Sequence, residues 1–209
     1  MDTKFLWLLD NGHGIDTPGK RSPKLPDGRQ FLEYRFNREV VKNISILLKA
    51  MNIHYHILVP EEHDVSLMER VERANDLKNI MPCVLVSVHA NAYGEGSGFS
   101  SPRGIETYYQ DNILAGEKLA DMFQENLLQV TGWRDRGVKP GRFYILRNVD
   151  MPAVLTESGF YSNREELQYL LDPDWQIRIA EAHAEAISEI EEMGAWFFQG
   201  PGSRLQGAG

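Results

Sequence analysis

The chain has one cysteine, Cys83, among its 209 residues, so no disulfide can form within it. It also lacks a basic surplus, because 22 lysines and arginines are outnumbered by 30 acidic residues, which gives a net charge of −8. An acidic chain binds a polyanion poorly, and this argues against a nucleic-acid partner. No apolar run approaches the roughly 20 residues that a membrane span needs.

The amino-terminal region also lacks the pattern of a secretory signal. Its first apolar run, residues 5–9, is shorter than the apolar core of such a signal, which takes about 7–15 residues, and it runs straight into Asp10. We therefore expect the chain as given to be synthesised in the cytoplasm. Action outside the cell would need a trimmed signal, another export route or release through membrane lesions.

The composition that is present is that of an ordinary globular domain. Hydrophobic residues make up 42% of the chain and aromatic residues 10%, enough for one core without covalent cross-links. We expect a single domain over residues 1–192 and a flexible carboxyl-terminal tail over residues 193–209, which are rich in glycine. Within that tail, the aromatic residues 196–198 are suited to dock on the body of the domain.

Strand-like apolar segments alternate with amphipathic helix-like segments along the chain. The strands are expected at residues 4–9, 53–59, 83–89, 104–109, 143–146 and 153–156. The helices are expected at residues 32–51, 66–80, 112–130, 164–171 and 175–192. This alternation is typical of an α/β domain with a mainly parallel six-stranded sheet and helices on both faces. Two long polar loops, residues 14–31 and 92–103, are expected to border a functional site.

Three of the predicted strands lead into a reactive side chain. His13 follows the first strand, His89 ends the strand at residues 83–89, and Glu157 follows the last strand. Because the carboxyl ends of parallel strands meet at one edge of a sheet, these side chains are expected to converge. Glu33 joins them, since it opens the helix that follows the first strand on the same edge.

Two histidines and two glutamates at one sheet edge fit a catalytic zinc site. Such a site uses three protein ligands and leaves a position open to water. The fourth residue, a free carboxylate, would take the proton from that water and return it to a leaving nitrogen. Each residue also has a structural interpretation: a hydrogen-bonded histidine after a strand, Glu33 complementing a helix dipole, or Glu157 in a salt bridge with an arginine.

Four segments of the sequence together carry a family resemblance. They are residues 9–14 (LDNGHG), 87–91 (SVHAN), 104–109 (GIETYY) and 156–163 (TESGFYSN). In this order and spacing they resemble the zinc-dependent N-acetylmuramoyl-L-alanine amidases of the amidase-3 type, over roughly residues 4–190. The resemblance implies hydrolysis of the amide between N-acetylmuramic acid and L-alanine in peptidoglycan, and therefore action at the cell wall.

The resemblance also implies roles for particular residues. His13, Glu33 and His89 would hold Zn²⁺, and Glu157 would be the catalytic carboxylate. Further positions match motifs that contact substrate or support the site, and they are Arg70, Asn75, Asn91 and Asn163. The implied partner is a muramyl peptide of peptidoglycan. The resemblance is also compatible with an activator or a holin-type partner and with release of the phage-lysin type, although the sequence shows no site for such a partner.

The first motif departs from the family pattern. It reads Asp-Asn-Gly-His-Gly-Ile where the family usually has Asp-Pro-Gly-His-Gly-Gly, so Asn11 and Ile15 change the loop without removing the histidine. This departure motivates one alternative, a related zinc peptidase or amidohydrolase that acts on another amide. The other alternative is a peptidoglycan-binding module that keeps the fold without catalysis, and the presence of Glu157 counts against it.

Overall fold

A computed structural model describes residues 3–94, 98–110 and 115–198. In these ranges one sheet contains the strands β1 (Leu6–Asn11), β2 (Tyr55–Ile57), β3 (Cys83–Asn91), β4 (Ile105–Tyr109), β5 (Asp135–Pro140) and β6 (Ala153–Phe160). The helices are α1 (Glu33–Ala50), α2 (Leu67–Leu77), α3 (Gly116–Thr131), α4 (Tyr144–Asn148), α5 (Arg164–Leu170), α6 (Pro173–Met193) and α7 (Ala195–Phe198). None of the described helices is long and apolar enough to span a membrane.

The sheet has the strand order β2-β1-β3-β6-β4-β5, and β4 pairs antiparallel with β6 while the other neighbours are parallel. Side chains alternate between the two faces, as the pleat of a strand requires. Trp7 and Leu9 face the core formed with α1, α3 and α6, whereas Leu8 faces the core formed with α2 and α4. The predicted fold class, a mainly parallel six-stranded α/β domain, is confirmed.

Two elements differ from the sequence prediction. The apolar pattern predicts a strand at residues 143–146, whereas Tyr144–Asn148 form helix α4, which buries Ile145 and Leu146. The sixth strand is instead β5, whose sequence DRGVKP is exposed or half-buried along its length. An edge strand of this kind has little hydrophobic periodicity, so the sequence pattern does not reveal it.

The helical part of the chain continues beyond residue 192. Phe197 of α7 is buried, and the ring of Phe198 packs edge to face on Phe5 at 5.1 Å, while Trp196 is exposed. Residues 199–209 lie outside the described part of the chain, so a flexible tail there stays a prediction. The helix predicted at residues 112–130 corresponds to α3, which begins at Gly116. The first predicted residues, 112–114, lie outside the described part of the chain.

His183 reads as a surface residue in the sequence, and the structure shows that this is wrong. It lies on α6 with its side chain completely buried, and its two ring nitrogens lie 2.7 Å from the Ile179 carbonyl oxygen and 2.9 Å from Thr156 Oγ1. Both polar ring atoms therefore have partners, which makes burial of a neutral imidazole acceptable.

Candidate metal centre

Two imidazoles and one carboxylate meet at the carboxyl edge of the sheet. His13 follows β1, Glu33 is the first residue of α1, and His89 lies near the end of β3. Atoms of these three side chains that could bind a metal all lie within 4.8 Å of one another. The structure thus brings together the three residues that the sequence suggests as ligands.

Glu33 lies at the centre of this cluster. Its Oε1 is 3.0 Å from His89 Nδ1 and 3.3 Å from His13 Nε2, and its Oε2 accepts a hydrogen bond from the Tyr161 hydroxyl at 3.3 Å. Lys20 Nζ lies 3.9 Å from the same Oε2. Burial acts to raise the pKa of Glu33, but the hydrogen bonds and charges of the two histidines outweigh it and leave that pKa below its usual value. Glu33 is therefore held as a carboxylate.

The two imidazoles pack edge to face, with their ring centroids 4.9 Å apart. Burial lowers the pKa of His13, whereas at His89 the hydrogen bond and charge of Glu33 outweigh burial and raise the pKa. His13 has a backbone φ of +68°, a left-handed conformation that is uncommon outside glycine. A Cβ atom at Gly12 would overlap the His89 ring, so the absence of a side chain at Gly12 lets the two imidazoles approach.

The donor set suits a divalent transition metal. Two imidazole nitrogens and one carboxylate oxygen are ligands that zinc accepts in hydrolytic sites. The Nε2 atom of His13 is buried and, among the described residues, has no well-directed hydrogen-bond partner despite its approach to Glu33. A bound cation would satisfy this atom, so the residues present fit a metal ion.

Glu157 lies beside this cluster without belonging to it. The parallel register of β3 and β6 places it opposite His89. Its Oε2 is buried and has no hydrogen-bond partner in the described part of the chain. Burial raises the pKa of Glu157 to about 8, against the opposing charge of His89. A carboxyl group with this pKa can take up and release a proton near neutral pH.

Two cavities meet at Glu157 and Lys20, which line both of them. The first, about 390 Å³ in volume, is here called the basic cavity, and its lining includes Lys20, Arg21, Asn91 and Tyr93. The second, about 300 Å³, is here called the apolar-walled cavity. It contains His13 and His89, and its apolar wall consists of Val65, Leu67, Phe143, Tyr144, Ile145 and Leu155. The groups on the two sides of a substrate's scissile bond can therefore occupy the two cavities, one on each side of Glu157.

Arg70 lies under the loop that carries His13. Its buried guanidinium donates to Asp10 at 2.6 Å, to Asp64 at 3.0 Å and to the Val65 carbonyl at 2.9 Å. Asp10 is the last but one residue of β1, so these bonds brace the strand end that leads to His13. Arg70 also lines the apolar-walled cavity.

The three asparagines singled out in the sequence have different positions. Asn75 lines neither of the two cavities and bonds to the backbone of Asn148 and Asp150, which ties α2 to the end of α4 and the residues after it. Asn91 lines the basic cavity, whereas Asn163 accepts hydrogen bonds from two backbone amides at the start of α5. Asn75 and Asn163 thus stabilise the fold, and Asn91 borders the site.

Glu106 is a site residue for which the sequence predicts no role. It lies on β4 directly opposite Glu157 on β6 and accepts a hydrogen bond from Asn91 at 2.6 Å. The sequence feature that could have pointed to Glu106 is the presence of an acidic residue inside the strand-like segment 104–109. That signal places Glu106 on a strand without indicating which other strand lies beside it.

The chain is similar to known proteins in both sequence and structure. Residues 8–189 match the family profile Amidase_3, described as N-acetylmuramoyl-L-alanine amidase. The endolysin of Bacillus phage SPP1 is 32% identical over 90% of this chain and 66% of its own length. The N-acetylmuramoyl-L-alanine amidase LytC of Bacillus subtilis is 31% identical over 84% of this chain and 33% of its own length. The chain thus spans between one third and two thirds of these two relatives.

Solved structures show the same fold. The catalytic domain of CwlV, an N-acetylmuramoyl-L-alanine amidase from Bacillus (Paenibacillus) polymyxa var. colistinus, has a TM-score of 0.77 and 32% identity over 90% of this chain and 98% of that chain. An N-acetylmuramoyl-L-alanine amidase from Clostridium difficile 630 has a TM-score of 0.78 and 28% identity over 91% of this chain and 98% of that chain.

Proposed function

Because the chain belongs to the N-acetylmuramoyl-L-alanine amidase family Amidase_3, we propose that it hydrolyses the amide between N-acetylmuramic acid and L-alanine in peptidoglycan, with zinc as cofactor. The observation that carries this proposal is the convergence of His13, Glu33 and His89 beside the buried carboxyl group of Glu157. Residues 1–192 are proposed as the catalytic domain, and the cell wall as the site of action. The relatives named as an endolysin and as an amidase support this substrate.

His13, Glu33 and His89 are proposed to hold Zn²⁺. Two imidazoles and one carboxylate form a ligand set of hydrolytic zinc sites and leave a coordination position open. When bound, zinc lowers the pKa of a water molecule to about 7 and polarises a carbonyl oxygen. The hydrogen bond from Tyr161 and the charge of Lys20 orient the second oxygen of Glu33 away from the histidines.

Glu157 is proposed as the general base and then the general acid. Its Oε2 accepts a proton from the attacking water and passes it to the nitrogen of the departing L-alanine. The bond between the lactyl carbonyl carbon and that nitrogen breaks, and the products are a carboxylate and a peptide with a free amine. Two observations support this role: Glu157 lies on β6 opposite His89, and no residue in the described part of the chain forms a hydrogen bond that would compete for its Oε2.

The test is an incubation of the purified protein with defined muramyl peptides, in the presence of Zn²⁺ or of EDTA, followed by mass spectrometry of the products. We expect zinc-dependent release of an intact stem peptide that begins with L-alanine. A cut at a different amide would replace this proposal with the peptidase alternative. Binding of the glycan without any cut by the zinc-loaded protein would replace it with the binding-module alternative.

A further inference from the structure

The two cavities on either side of Glu157 differ in their unpaired charge. In the apolar-walled cavity the buried guanidinium of Arg70 is neutralised by Asp10 and Asp64. In the basic cavity Arg21 forms no ion pair with any residue of the described ranges 3–94, 98–110 and 115–198. Among the same described residues, the only ion pair of Lys20 is the 3.9 Å contact with Glu33, whose charge is shared with two histidines. Lys20 lines both cavities, whereas Arg21 lines only the basic cavity, which therefore has the additional positive charge available for an anionic ligand.

The backbone of these two basic residues is fixed to the metal centre. Arg21 forms an antiparallel bridge with Leu32, and the Lys20 carbonyl accepts a hydrogen bond from the Glu33 amide at 3.0 Å. Ser22 extends the pairing, since its amide donates to the Phe31 carbonyl at 3.1 Å. Lys20 and Arg21 are thus held next to the start of α1, which reduces the entropy lost when they bind a ligand.

The chemistry of the proposed reaction sets which half of the substrate lies in which cavity. His13 and His89 line the apolar-walled cavity, so the acyl half, which carries the carbonyl, belongs on that side. Glu157 lines both cavities and supplies the proton to the amine half, so the amine half extends past Glu157 into the cavity that does not contain the histidines, which is the basic cavity. The muramoyl half has no free carboxylate, because its lactyl carboxyl group is the one in the amide. In the stem peptide the free carboxylate nearest to the scissile amide is the α-carboxylate of D-glutamate, whose amine is acylated by L-alanine and whose γ-carboxyl group continues the peptide.

We propose that Lys20 and Arg21 form a subsite for the α-carboxylate of the second stem-peptide residue. This inference rests on the proposed amidase function and adds a specificity to it. Ammonium and guanidinium groups form charge-assisted hydrogen bonds with a carboxylate, and Arg21 offers the planar fork that binds both oxygens. Stem peptides in which this carboxylate is a carboxamide have the same shape without the charge, and the subsite discriminates against them.

The experiment compares two substrates that differ only at this group, muramoyl-L-alanyl-D-glutamate and muramoyl-L-alanyl-D-isoglutamine. We expect the wild-type protein to cleave the carboxylate substrate with a kcat/KM roughly tenfold higher, since a hydrogen bond to a charged group contributes on this order. In Arg21→Gln this ratio falls to about one, mainly through the carboxylate substrate, and Arg21→Lys retains part of it. Lys24→Gln, an exposed lysine of the same loop that lines neither cavity, keeps the wild-type ratio.

The outcomes separate this inference from the function on which it rests. Equal kcat/KM of the wild-type protein for both substrates overturns the carboxylate subsite and leaves the amidase proposal intact. An Arg21→Gln protein that loses the same factor on both substrates also overturns the subsite, because Arg21 then acts on the site as a whole. A wild-type protein that cleaves neither substrate in the presence of Zn²⁺ overturns the amidase function and the subsite with it.

Discussion

Glu106 and Glu157 lie directly opposite each other on the antiparallel strands β4 and β6, and their environments push their pKa values apart. Glu106 is buried, but it pairs with Arg136 at 2.8 Å and with Lys139, and these bonds outweigh burial and lower its pKa. Burial raises the pKa of Glu157 to about 8. Neighbouring carboxyl groups with separated pKa values are typical of sites in which one group stays ionised and the other exchanges a proton.

The first prediction concerns the charge balance around Glu106. In Glu106→Gln the side chains of Arg136 and Lys139 lose their common carboxylate in a part-buried position, and we expect the free energy of unfolding to fall by about 1–3 kcal/mol. Urea denaturation of the chelator-treated protein measures this change. Glu165→Gln is the matched control, because its ion pair with Arg103 is exposed on both sides and contributes little. Equal stability of the two variants would contradict the structural role of Glu106.

The second prediction concerns the approach of the two imidazoles. In Gly12→Ala the new methyl group overlaps the ring of His89, and we expect the affinity for Zn²⁺ to fall by roughly 10–100-fold. Titration with a chromophoric chelator measures the affinity. Gly98→Ala serves as the control, since a methyl group there meets no atom of the described residues and should leave zinc binding unchanged. Wild-type affinity in Gly12→Ala would show that His89 is not a ligand, or that its position is not set by Gly12.

The third prediction separates metal binding from proton transfer. Glu157→Gln should retain zinc and lose about 10²–10⁴ in kcat, because the amide cannot accept the proton of the attacking water. His13→Ala and His89→Ala should lose zinc as well as activity. His54→Ala, an exposed histidine next to the opposite edge of the sheet, should lose neither. Metal content by mass spectrometry and turnover of a muramyl peptide are the two measurements, and undiminished turnover in Glu157→Gln would refute the mechanism.

The convergence of His13, His89 and Glu157 could be predicted because each follows or ends a buried apolar strand. Such strands have a strong hydrophobic pattern, and parallel strands place their carboxyl ends at one edge. The pairing of Glu106 with Glu157 could not be predicted, since it depends on the antiparallel register of β4 and β6, two strands far apart in the sequence. Strand β5 was not predictable for a different reason, because an exposed edge strand needs few apolar residues.

The burial of His183 could not be predicted either, because the helical pattern of α6 does not reveal it. This burial affects the stability of the fold at acidic pH. With Nδ1 donating to the Ile179 carbonyl, Nε2 accepts from the Thr156 hydroxyl, so both bonds require the neutral ring. Burial lowers the pKa of His183 from 6.5 to about 4. Between these values the unfolded chain binds a proton that the folded chain does not, so the stability decreases as the pH falls.

The fourth prediction is the size and the sign of this effect. The contribution of His183 is fully present above pH 6.5 and is lost as the pH falls to about 4, with a total of about 3 kcal/mol for a difference of 2.5 pKa units. His183→Gln removes the titration, so the difference in unfolding free energy between wild type and variant should shrink by this amount over that range. Urea denaturation at several pH values, with chelator present to remove metal linkage at His13 and His89, measures it. The control variant His54→Gln should give the same dependence of unfolding free energy on pH as the wild type. If the pH dependence of His183→Gln were also parallel to that of the wild type, His183 would have the same pKa in the folded and the unfolded chain, which would contradict the prediction.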